Sequence, residues 1–99
     1  MPNFKADFIY TIDFRLVKYY RDVYGCIKTG LALPDFFGGN RDALWDCLTG
    51  FIGWPCEIRL SGLSSLHKQL RAELQKILDV FSDAEKEYPD KIHIAYANE

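Results

Sequence analysis

Residues 31–50 read LALPDFFGGNRDALWDCLTG, and this run sets how the rest of the chain is interpreted. Pro34 forces extended backbone at Leu33, and Gly38-Gly39 supply positions tolerant of positive φ. Asn40 is a good helix N-cap, which predicts a helix over 41–50 with Asp42 in its first turn, where the helix dipole favours an acid. Leu44, Cys47, Leu48 and Phe51 follow the i, i+3, i+4, i+7 spacing of a core-facing stripe. Asp42, Trp45, Asp46 and Thr49 are left on a second stripe that faces out. Positions i and i+4 share one helix face, so the two acids point the same way with Trp45 between them. A Trp flanked by acids on a solvent face reads as a docking surface for something cationic.

Upstream of this run, residues 4–12 (FKADFIYTI) are rich in aromatic and β-branched side chains and predict a strand. Residues 21–29 predict a short helix with Val23, Cys26 and Ile27 inside and Gly30 ending it. Downstream, Pro55 opens a second strand over 56–60 (CEIRL), which Ser61-Gly62 breaks. The pattern over 63–87 is helical, with Leu63, Leu66 and Leu70 on one stripe and Leu74, Ile77, Leu78, Phe81 and Ala84 on another. Tyr88-Pro89-Asp90 ends it, and 91–96 (KIHIAY) predict a third strand. Helical crossovers between successive strands favour a parallel sheet, so the class is α/β.

Ninety-nine residues suit one small domain over 1–99 with a single core that needs no staples. The 48% apolar content argues against disorder. No apolar run approaches the ~18 residues that span a bilayer, and the N-terminal residues lack a signal-peptide pattern, so the expected compartment is the cytoplasm. Cys26, Cys47 and Cys56 show no C-x-x-C spacing and no neighbouring His, which favours buried, reduced thiols over a single disulfide. His67 and His93 are isolated in the sequence, and neither a phosphate loop nor a Ser-nucleophile motif is present. No metal or cofactor is expected.

The formal charge of −2 is unevenly spread. Residues 1–30 carry five Lys/Arg against three Asp/Glu, whereas 72–90 carry six acids against Lys76 and Lys86. Residues 31–56 add Asp35, Asp42 and Asp46 against Arg41. Were the Trp45 helix and the late helix neighbours, their combined field would repel nucleic acid and attract a basic protein. Direct nucleic-acid binding needs the opposite footprint.

Leu33, Pro34, Gly38, Asn40, the block DALWDCLTG over 42–50 and Pro55 together resemble the barstar family of intracellular ribonuclease inhibitors. The likeness continues more weakly through Val80, Phe81, Asp83 and Ala84 to the terminal strand, and fades before about residue 22. It implies a three-stranded parallel sheet with packed helices, in the order β-α-α-β-α-α-β. It also implies two helices within 63–87, so a bend is expected between 68 and 73. Asp42, Trp45 and Asp46 would belong to the surface that plugs a ribonuclease active site, with Asp46 entering where a substrate phosphate would lie. Asp83 matches a peripheral acid on the late helix, while Asp79, Glu85 and Glu87 read as plain soluble surface. Phe36 and Phe37 match a pair of loop aromatics, one of them typically Tyr. The expectation is Phe36 outside and Phe37 inside, with stacking retained and the phenolic hydrogen bond lost. Gly38 matches the family turn, and Asn40 serves as the cap. Gly39 and Arg41 depart from the family, where an acid and an apolar residue are common.

The leading expectation is a non-enzymatic inhibitor of a secreted or toxin ribonuclease. Its partner surface would comprise Phe36, Gly38, Asn40, Asp42, Trp45, Asp46, Thr49 and Asp83. A module of the same fold with a non-ribonuclease partner is the second reading, motivated by Arg41, Gly39 and the missing Tyr. An enzyme using Asp42 and Asp46 as an acid/base pair is the third, and an open helix face without a pocket speaks against it.

Overall fold

In the computed structural model, which describes residues 4–97, strand β1 (Phe8–Asp13) is followed by a single 3-10 turn at Tyr20–Asp22 that runs into helix α1 (Val23–Gly30). Helix α2 (Arg41–Gly50) then leads to strand β2 (Cys56–Ser61). A 3-10 turn at Leu63–Ser65, helices α3 (Lys68–Glu73) and α4 (Gln75–Glu87), and strand β3 (Ile92–Tyr96) complete the order. The sheet is parallel throughout in the order β1-β2-β3, with Phe8 opposite Cys56 and Cys56 opposite Ile92. This is the α/β, three-stranded parallel architecture with packed helices that the sequence predicts.

Register and period-2 alternation explain the two faces of the sheet. Ile12, Cys56, Ile58, Leu60, Ile92 and Ile94 lie on one face and are buried with the apolar stripes of the helices. The other face carries the rows Ile9–Glu57–His93 and Thr11–Arg59–Ala95 and stays partly open. Phe14, Ile27, Leu31, Leu44, Leu48, Leu74, Ile77 and Phe81 fill the core beneath the sheet. Close approach is needed where α1 leaves: a Cβ at Gly30 would lie 2.6 Å from the Ile12 side chain and 2.7 Å from the Thr11 carbonyl oxygen.

Several boundaries differ from the sequence reading. β1 starts at Phe8, four residues later than expected, because its partner β2 begins only at Cys56, after the cis Trp54-Pro55 peptide. The amides of Asp7 and Phe8 both donate to the Pro55 carbonyl, which closes that end of the ladder. Helix does not begin at Leu63. Gly62 adopts φ 78°, a 3-10 turn follows, and Leu66 is extended. His67, expected mid-helix, caps α3 instead: its Nδ1 accepts from the Leu70 amide at 3.2 Å. The expected bend lies at Leu74, just beyond the predicted window, where the residue ends α3 and starts α4 while fully buried.

Candidate functional site

The loop before α2 is built on α1. The Leu33 amide donates to the Lys28 carbonyl at 2.9 Å, and Lys28 Nζ lies 3.0 Å from an Asp35 carboxylate oxygen. Leu33 is buried, so the loop is anchored from below. Phe37 is half-buried with its ring 6.1 Å from that of Tyr24, whereas Phe36 is 83% exposed, the in-and-out arrangement the sequence suggests. Gly39 takes φ 64°, turning the chain into Asn40. Asn40 is extended, and its side-chain oxygen accepts from the Ala43 amide at 2.8 Å, the capping bond its residue type predicts.

Helix α2 spans the predicted residues, and its periodicity sorts its side chains with two corrections. Leu44 and Leu48 are fully buried. Asp42 and Asp46 are exposed, and Trp45 is half-buried, one side resting on the core. Thr49 is also half-buried, and its hydroxyl donates to the Trp45 carbonyl at 2.8 Å, so its proton is used within the helix. Cys47, expected buried, is only half-buried, and burial with the nearby Asp46 charge pushes its thiol above the usual range. Phe51, expected in the core stripe, is 52% exposed. The helix has ended by then: the amides of Phe51 and Ile52 both donate to the Cys47 carbonyl, and this tightened turn puts Ile52 into the core instead.

Helices α2 and α4 pack against each other, which makes the two acid-rich elements neighbours. Between them lies a solvent-open cleft of about 570 Å3 lined by Asn40, Arg41, Asp42, Trp45, Val80 and Asp83. Trp45 and Val80 are its apolar lining, and Asp42 and Asp83 come from the two different helices. Four of the eight residues singled out in the sequence thus meet in one concavity. Asp46, Thr49, Phe36 and Gly38 lie outside its lining, on α2 and the preceding loop. Arg41 and Val80 also join the lining; the sequence places Arg41 beside this surface, whereas Val80 is not singled out by it. Arg41 follows from its place beside the cap, but Val80 depends on how α4 docks, which no local pattern encodes.

Glu85, His93 and the cysteines lie away from this cleft. Glu85, read as surface, accepts from the Ile94 amide at 2.9 Å and lies 3.3 Å from His93 Nδ1, tying α4 to β3. His93, which seemed isolated in the sequence, also has the Phe4 ring 5.7 Å away. All three cysteines are free thiols, but only Cys56 is buried, and its desolvation raises the thiol to about 11. Cys26 is half-buried and donates to the Asp13 carbonyl. Among the described residues no group of three or more His, Cys, Asp or Glu is placed to hold a metal, and no helix is long and apolar enough to cross a membrane.

The family model described as "Barstar (barnase inhibitor)" matches residues 8–97, reaching well upstream of the point where the resemblance fades by eye. The chain is also 35% identical over 68 residues to a Bacillus subtilis (strain 168) protein named "Putative ribonuclease inhibitor YrdF". That match spans 69% of this chain and 75% of the relative. With a match over nearly its whole length and the three-stranded parallel sheet in place, the chain belongs to the barstar family.

Proposed function

We propose that this protein is a non-catalytic inhibitor of a ribonuclease and blocks it by seating the exposed face of α2 in the enzyme's active site. The observation that carries the reading is the pair Asp42 and Asp46, exposed one turn apart on α2, with half-buried Trp45 between them beside a cleft that Asp83 also lines. Two carboxylates at this spacing can stand in for substrate phosphates among the enzyme's cationic groups, and Trp45 excludes water around them. Phe36 stacks on the rim, Gly38 lets the loop approach closely, Asn40 holds the loop to the helix, and Thr49 lies at the far end of the same face. Family membership and the named relative support the inhibitor role. In this reading the protein acts in the cytoplasm as an immunity protein against a secreted or toxin ribonuclease.

Inhibition assays against a panel of small basic ribonucleases test the proposal. Stoichiometric inhibition of at least one member is expected, lost on Asp46→Ala. Arg41, a cation within the acidic lining, favours a second reading in which the same face binds a non-ribonuclease partner. Co-purification with toxins from the producing strain separates the two.

A further inference from the structure

Arg41 is the one feature of the α2 face that runs against its chemistry. It is the first residue of α2, where a cation meets the positive end of the helix dipole. It is exposed, and among the described residues no carboxylate lies within ion-pair distance of it, although Asp42 and Asp83 line the same cleft. No ion pair within the described residues accounts for its charge. Docking α2 against a uniformly basic site would bring the guanidinium up to like charges while removing it from water, an expensive juxtaposition.

We infer that Arg41 determines specificity for a target whose cationic site carries one carboxylate facing the first turn of α2. This inference rests on the inhibitor reading above. The partner's cations meet Asp42, Asp46 and Asp83, while the carboxylate takes Arg41 in a two-pronged, charge-assisted pair. An enzyme lacking that acid is rejected by repulsion, and one possessing it gains a fixed register. The repulsive element is absent from the cognate complex, because the charge is paired there and the pair offsets the water both ions lose.

The test uses barnase and the small basic ribonucleases of the panel as probes, measuring binding and inhibition by the wild-type protein, Arg41→Leu, Arg41→Glu and Arg41→Lys. Against an enzyme that carries the acid, Arg41→Leu should bind about 10-fold more weakly, and against one that lacks it about 10-fold more tightly, through relief of like-charge contact. Arg41→Glu should match or exceed both changes, and Arg41→Lys should stay near the wild type. Thermal midpoints should hold for Leu and Lys and rise slightly for Glu, which suits the helix dipole. Equal binding by wild type and Arg41→Leu at every ribonuclease that is inhibited overturns the role of Arg41 and leaves the inhibitor reading standing. If no form inhibits barnase or any member of the ribonuclease panel, the inhibitor reading falls and this inference with it.

Discussion

Asp46 and Asp83 are both exposed acids, yet their surroundings set different weights. Asp46 follows Trp45, whose half-buried ring can close over the contact and keep water out. Asp46→Ala should therefore cost more than ~2 kcal/mol of binding, because the partner's cations would stay buried without a counter-charge; the barstar family's own complex is the reference case for losses of this kind. Asp83 comes from α4, on the other side of the cleft from the α2 acids. Asp83→Ala should cost about 1 kcal/mol or less and act mostly on the association rate. Calorimetry together with stopped-flow association would settle the contrast, and equal small losses at both positions would refute the plug. Cys56 carries a separate expectation. Its burial makes it the slowest of the three thiols to react with a disulfide reagent at about pH 8, behind the half-buried Cys26 and Cys47. Mass-resolved labelling would read the order directly.

At the scale of elements, α2 is positioned by its cap and by its two buried leucines. Asn40→Ala removes the acceptor for the Ala43 amide and should destabilise the protein by about 1 kcal/mol, whereas Asn40→Asp should cost far less because it still caps. Urea midpoints of the two variants would check this, and a neutral Asn40→Ala would mean that the loop, not the cap, holds the helix start. The junction of α1 with β1 is stricter. Any side chain at Gly30 collides with Ile12 and with the Thr11 carbonyl, so Gly30→Ala should destabilise by more than the cap variant does. The three strands and the helical regions were legible from local periodicity, whereas the division of 63–87 into two helices came from the family resemblance. Element ends were less legible: β1 stops where β2 stops, and α3 starts late because Gly62 and Leu66 leave the helical region first.

For the molecule as a whole, charge distribution and titration give the testable consequences. Asp42 of α2 and Asp83 of α4 line one cleft, and if that side meets a basic partner, association should slow steeply between low and physiological salt while dissociation changes little. Association rates that stay flat over that range would exclude steering. Two groups give stability a pH dependence at opposite ends. Hydrogen bonds from the Arg15 side chain and amide hold Asp13 below its ordinary 3.8. Its stabilisation is thus complete above 3.8 and is lost as pH falls through the lower native value. Burial raises Cys56 from 9.0 to about 11, so the unfolded thiol ionises first. Stability is therefore full below 9.0 and declines as pH rises toward about 11. Denaturation midpoints of wild type, Asp13→Asn and Cys56→Ala across these ranges would reveal both slopes, each flattened in the matching variant.

The sequence by itself determined the class of fold, the cap and span of α2, the outward direction of Asp42 and Asp46, and the inside-outside split of Phe37 and Phe36. The cap, the span and the outward acids follow from the geometry of a single helix turn, which neighbouring residues specify; the class follows from the order of elements, and the Phe split comes with the family resemblance. Tertiary structure alone decided that Val80 and Asp83 face α2 across a cleft and that Glu85 fastens α4 to β3. It also decided that Phe51 leaves the core while Ile52 enters. Each of these depends on where two elements distant in sequence come to rest against a shared core, and that placement is fixed by the packing of the whole set of buried side chains.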